Sequence, residues 1–182
     1  MLFNKVFISY AKEDIPYAEQ LYNFLEENGF EPWLDKKKLL PGQDWNLYIQ
    51  QELRKADFVI LLISSVSVVK RGYVQREFKQ ALNYCEEKLD SDIYIIPLKI
   101  DSCNVPSNLM KYQWVEFSSE IAFSKILESL NFQRSQLIKS YELRNQNFSE
   151  FETETKLKQY EYGEKSPRQT IQIEYFQFKT KS

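Results

Sequence analysis

At 182 residues, the chain has room for one domain of ordinary size plus an appendage. Its 24 Lys and Arg against 26 Asp and Glu, a net charge of -2, lack the basic excess of a dedicated nucleic-acid binder. Zero histidines exclude Ser-His-Asp and Cys-His nucleophile pairs and His-based zinc hydrolysis, so any catalysis must use carboxylates, hydroxyls, aromatics and backbone donors.

The first two thirds of the chain alternate strand-like and helix-like segments. Val6-Phe-Ile8 is a short apolar run ending at Ser9 and Tyr10, and reads as a buried strand. Asp14 is placed to cap a helix with Pro16 in its first turn. Ile15, Ala18, Leu21, Tyr22 and Leu25 then recur at helical spacing, and Gly29 supplies the stop. Residues 30–34 read as a short second strand, which Pro32 confines to an edge. Residues 35–44 read as a loop with three lysines and a Pro41-Gly42 turn signal, before a helix marked by Trp45, Tyr48, Ile49 and Leu53.

Residues 58–63 are apolar throughout, as a central parallel strand covered on both faces requires. Residues 64–67 read as a loop, and Val74, Phe78, Ala81, Leu82 and Cys85 as the stripe of a third helix. Residues 93–100 form another buried strand, interrupted for pairing purposes at Pro97, and residues 114–117 a short fifth one. Ser118 or Ser119 is expected to cap a last helix carrying Ile121, Ile126, Leu127 and Leu130. This alternation predicts an α/β fold, a doubly wound parallel sheet of five strands. Ligands of such sheets sit outside the carboxyl ends of the strands, at the switch point. In the flavodoxin-like order that point lies between Ser9-Tyr10 and Ser64-Ser65.

The tail from about residue 133 differs in kind. Residues 140–150 are polar and weakly helical, whereas 151–162 and 169–178 alternate partially around 163–167, which suggests a β-hairpin. The expected organisation is therefore a domain over 1–132 and an extension over 133–182. The two cysteines, Cys85 and Cys103, lack metal-ligand spacing, and thiols in a chain without a signal peptide suggest a reducing, cytoplasmic location. No membrane span is expected, because the longest apolar stretch, residues 58–63, is far short of the ~20 residues needed.

Four features in register resemble the TIR domain, the Toll/interleukin-1 receptor and resistance-protein module. Lys5-Val-Phe-Ile-Ser-Tyr10, followed by Glu13 and Asp14, resembles its opening strand. Trp33-Leu-Asp35 with Leu40-Pro-Gly42 is similar to the second strand and its long loop. Ala56-Asp57-Phe-Val-Ile-Leu-Leu-Ile-Ser64 resembles the third strand, and Tyr73-Val-Gln-Arg-Glu77 the aromatic-x-x-x-Glu motif of the fourth element. The resemblance covers roughly residues 4–131.

It implies one of two functions. Some TIR domains are scaffolds that assemble receptors and adaptors. Others, including many bacterial ones, cleave the nicotinamide-ribose bond of NAD+ to nicotinamide and ADP-ribose or a cyclic isomer, using a glutamate at the position of Glu77. The expectation is a bacterial NAD+-cleaving enzyme, active on assembly and serving defence signalling or NAD depletion. A non-catalytic interaction module is the rival. A receiver-type nucleotide-binding domain is a third reading, weakened because Ser64 stands where a phosphoacceptor aspartate belongs.

Glu77 is the expected catalytic residue, and Ser9, Tyr10, Asp35, Lys38, Trp45, Ser64 and Tyr73 the expected substrate-binding residues. Tyr73 and Glu77 are four apart and share a helix face. The serine hydroxyls either reach ribose or phosphate or simply punctuate strand ends. The lysine run steers an anionic dinucleotide or is solvated. With no Gly-x-Gly-x-x-Gly and only four glycines, NAD+ is expected as a substrate rather than a cradled cofactor. No metal, nucleic acid or membrane is expected, and self-association is expected through TIR surfaces and the 35–44 loop.

Overall fold

A computed structural model describes residues 3–69, 83, 84, 88 and 91–163, with only the backbone described for 147–163. The described chain divides into two compact units, Met1–Lys139 and Ser140–Ser182.

The first unit is built on five parallel strands: β1 (Lys5–Ser9), β2 (Glu31–Trp33), β3 (Phe58–Ile63), β4 (Ile95–Lys99) and β5 (Val115–Glu116). Their order is β2-β1-β3-β4-β5, the flavodoxin-like arrangement. β3 lies at the centre and is buried at every residue. Alternation sends Phe58, Ile60 and Leu62 to one face and Val59, Leu61 and Ile63 to the other. The first set packs with Leu21 and Leu25 of α1 (Ile15–Glu27), and with Ile126 and Leu130. The second packs with Ile49 and Leu53 of a helix spanning Trp45–Lys55. Burying each such side chain contributes roughly 1.5–3 kcal/mol, so β3 alone anchors both layers.

Two prolines sit where their missing N–H costs little. Pro32 lies in the edge strand β2. Just before β4, Tyr94 accepts from Val59 N–H on the β3 side, and at its end Lys99 accepts from Phe117 N–H on the β5 side. Backbone direction alternates along a strand, so Pro97, like Lys99, faces β5 and removes no donor from the β3 ladder.

Several sequence expectations need correction. The 35–44 segment is not all loop: it opens with the helical turn α2 (Asp35–Lys38), and Gly42 follows at φ +89°. With Trp45–Lys55 as α3, residues 65–67 are likewise helical and not loop, because α4 (Ser65–Val69) begins one residue after β3. Asp14 precedes α1 but makes no capping bond, since its carboxylate accepts a hydrogen bond elsewhere. The third-helix stripe, Val74, Phe78, Ala81, Leu82 and Cys85, lies outside the described residues, while residues 83 and 84 within its span are helical.

The largest correction concerns the tail. A helix α5 spans Ala122–Gly163, so residues 151–162 are helical and not the first strand of a hairpin. Its sequence explains this: no Gly or Pro occurs over 107–162, and Glu152 and Glu154 stand four residues before Lys156 and Lys158, the favourable helical order. The expected break at residue 132 falls inside this helix. Its start is also later than expected, with Ile121 exposed and outside it and Ala122 N–H bonded to Ser119 O. The expected second hairpin strand, 169–178, lies outside the described residues.

Candidate functional site

The carboxyl ends of β1, β3 and β4 converge on a polar cluster. Ser9 ends β1 in register with Leu61 of β3, and is 1% exposed. Ser64 follows β3 and is 2% exposed. Its hydroxyl donates to Asp14 Oδ2 at 2.7 Å, and its oxygen accepts Ser67 N–H at 3.0 Å. Ser67 Oγ accepts Ser64 N–H and donates to the Ser64 carbonyl. The only hydroxyl proton of Ser64 is therefore taken by Asp14, and in this state Ser64 has no donor for a ligand.

Asp14 is itself buried, and burial pushes its carboxyl above the ordinary value. The hydrogen bonds from Ser64 and from Ala11 oppose that shift, and the negative charges of Asp101 and Glu13 add to it. Asp101 stands on the other side of β3, just past β4, and is exposed. It accepts Ser65 N–H at 2.9 and 3.0 Å, Ser65 Oγ–H at 2.6 Å and Cys103 N–H at 3.0 Å. Desolvation works against its charge, but these bonds from Ser65 and Cys103 together hold its carboxyl below the ordinary range. Cys103 is buried, and burial and then Asp101 push its thiol up to about 11.

At the side of the crevice nearer β2, Tyr10 and Asp35 are brought together: the phenol donates to Asp35 Oδ1 at 2.5 Å, and Lys36 N–H donates to the same oxygen. The lysine run turns onto α1. Lys36 pairs with Glu19 at 2.9 Å, and Lys37 donates to Asn23 at 3.0 Å while lying 3.8 Å from the Tyr22 ring centroid. Lys38 is directed toward α1 and the β2 edge, with its ammonium 5.9 Å from the same ring. It also lines a recess of about 200 Å³ with Lys5, Glu31 and Trp33. Trp45 opens α3 and is 50% exposed, alongside exposed Leu40 and Leu47. A roomier recess of about 480 Å³ lies by the amino half of β4, beside Tyr112, Trp114 and Lys125, and includes none of these residues.

Glu77 and Tyr73 lie outside the described residues. Among the described residues no group of three or more acidic or cysteine side chains is placed to hold a metal ion, and no helix is long and apolar enough to cross a membrane. Sequence reasoning missed Asp101, although it directly follows the β4 run, at the strand end where the same rule picked out Ser9 and Ser64.

A five-stranded parallel sheet in this order, with its polar cluster beyond the strand ends, defines a flavodoxin-like α/β module. The family model for the TIR domain matches residues 6–129, and the chain belongs to that family. The TIR domain of the Toll-related receptor TRR-2 from Hydra magnipapillata is similar, at 18% identity and a TM-score of 0.59, over 69% of this chain and 97% of that one. A TIR-STING receptor from C. gigas, solved in complex with 2',3'-cGAMP, is similar at 20% identity and a TM-score of 0.57, over 69% of this chain and 38% of that one. At these identities the likeness is one of fold. No curated protein matches the chain.

Proposed function

We propose that this TIR domain cleaves the nicotinamide-ribose bond of NAD+. The observation that carries the reading is Tyr73-Val-Gln-Arg-Glu77, which follows α4 in a chain of this family, α4 itself being rooted at the carboxyl ends of the sheet. In the reaction the bond from the ribose carbon to the nicotinamide nitrogen breaks and its electron pair leaves with neutral nicotinamide. The ribose is left as an oxocarbenium-like cation. Water then attacks it, giving ADP-ribose and a proton, or a nitrogen of the adenine attacks instead, giving a cyclic isomer. Glu77 stabilises the developing positive charge or orients the ribose hydroxyls. Tyr73 offers a π face to the nicotinamide, Tyr10, Asp35, Lys38 and Trp45 border the dinucleotide, and buried Ser9 and Ser64 form the crevice floor beneath it without donating to it. NAD+ is a substrate here, and the chemistry asks for no metal.

Assembly belongs to this proposal. Asp35 is engaged by Tyr10, and Lys38 is directed toward Tyr22, so both must exchange partners to meet a dinucleotide. A second copy acting on the 35–44 segment supplies the contacts to offset that exchange. A second reading is a docking module without catalysis, favoured by the exposure of Leu40, Trp45 and Leu47 in this segment and at the start of α3. Incubating the purified protein with NAD+ and measuring nicotinamide separates the two. Accumulating nicotinamide supports cleavage, and intact NAD+ from a concentrated, folded sample leaves the docking module.

A further inference from the structure

α4 opens at Ser65, one residue past β3, and its first backbone N–H groups have no partner within the helix. Two carboxylates grip that start from opposite sides. β1 and β4 are the two neighbours of β3 in the sheet, and each sends one carboxylate to the end of β3. From the β1 side, Asp14 receives the Ser64 hydroxyl, whose oxygen in turn receives Ser67 N–H. From the β4 side, Asp101 receives both the amide and the hydroxyl of Ser65. Neither grip is needed to join the strands, since β1 and β4 are already paired with β3 along their ladders. What the two grips fix in addition is the point and direction at which the chain leaves β3, and Glu77 lies twelve positions beyond Ser65 in sequence.

We propose that Asp14 and Asp101 are positioning residues for the segment that carries Glu77, acting through Ser64, Ser65 and Ser67 and touching no substrate. The assignment rests on the proposed cleavage of NAD+. Carboxylates suit the task because they accept on both oxygens. Asp101 takes an amide and a hydroxyl from one residue and a further amide from Cys103. An asparagine there keeps the size but offers one acceptor oxygen instead of two. A small rotation at the root of a segment is magnified along it, and a reacting group displaced by an ångström loses rate without losing the substrate's binding contacts. The expected signature is therefore a fall in kcat with KM held.

The test compares the full-length wild type with Asp101→Asn, Asp14→Asn, Ser65→Ala and Ser65→Thr, reading amide hydrogen exchange over residues 64–69 and the kinetics of nicotinamide release. Asp101→Asn and Ser65→Ala are each expected to speed exchange over 64–69 about tenfold, with β1 and β3 amides unchanged. They are expected to lower kcat about tenfold with KM for NAD+ within about twofold. Asp14→Asn should act in the same direction. Ser65→Thr keeps the hydroxyl and should behave as wild type, and Asp101→Asn with Ser65→Ala together should be no worse than either alone. A loss carried by KM, or wild-type kcat in Asp101→Asn despite faster exchange, overturns the positioning role. Should the wild type release no nicotinamide, the proposed function falls by itself. Exchange then still decides the grip: unchanged rates in Asp101→Asn overturn it, and faster rates support it.

Discussion

The floor and the lip of the crevice are both held by polar contacts, yet the contacts are of different kinds. At the floor, Asp14, Ser64 and Ser67 are buried, and each bond satisfies a group that water does not reach. At the lip, the Lys36–Glu19 pair has side chains 52% and 37% exposed, so water can replace it at little cost. A buried polar bond is expensive to leave unmade, whereas an exposed ion pair contributes about 0–1 kcal/mol. The floor is thus preset in the single chain, while the exposed lysine contacts of the lip are the ones that the proposed assembly can exchange at little cost.

The largest expected effect lies at the point that this division serves. Glu77→Gln should leave the fold intact and reduce nicotinamide release on the order of a hundredfold or more, about 3 kcal/mol of lost transition-state stabilisation. Turnover equal to wild type would remove Glu77 from the reaction. Next in size is the floor. Ser64→Ala strips Asp14 of a donor and Ser67 N–H of its acceptor, and should destabilise the protein by about 1–3 kcal/mol in chemical denaturation.

The two carboxylates sharpen the contrast through pH, because their shifts have opposite signs. Asp14 lies above the ordinary aspartate value of 3.8, so the stability linked to its proton is full below 3.8 and is lost as pH rises through its folded value. Glu13 and Asp101, the charges that act on it, push in the same direction as burial. Asp101 lies below 3.8, so its contribution is present above 3.8 and is lost as pH falls through its folded value. Melting temperature followed against pH should show Asp14→Asn removing a decline toward neutral pH and Asp101→Asn removing a decline toward acid. The same sign in both variants would contradict this account of the floor. The smallest effect belongs to the lip: Glu19→Gln should leave the denaturation midpoint at the wild-type value. A loss there as large as that of Ser64→Ala would erase the distinction between floor and lip.

The sequence made the sheet readable because each strand carries its own burial signal. The unbroken apolar run of β3 requires cover on both faces, and Pro32 marks an edge, both local properties. Tertiary capping is not local. Asp101 meets Ser65 across 36 positions, so residues 64–67 read as a loop although a distant carboxylate supplies the cap. Asp14 read as a helix cap for the same reason, since its actual partner, Ser64, is 50 positions away. In the tail, alternating Thr and Tyr suggested a strand, while the Glu-to-Lys spacing and the lack of Gly or Pro before Gly163 decided for helix. The lysine run at 36–38 gave no hint of direction from sequence alone. Its turn onto Glu19, Asn23 and Tyr22 depends on how α1 packs. Of the expected site, Tyr10 with Asp35 and Ser64 with Asp14 stand as described contacts, and Tyr73 and Glu77 lie outside the described residues.

The central claim is that a preset floor becomes an active site only when a partner copy remodels the lip. Nicotinamide release per molecule, followed over about a hundredfold dilution with light scattering on the same samples, tests it most directly. The account predicts that release per molecule falls on dilution in step with the fraction of assembled particles. Constant release per molecule from a protein that scatters as a monomer at every concentration would contradict it.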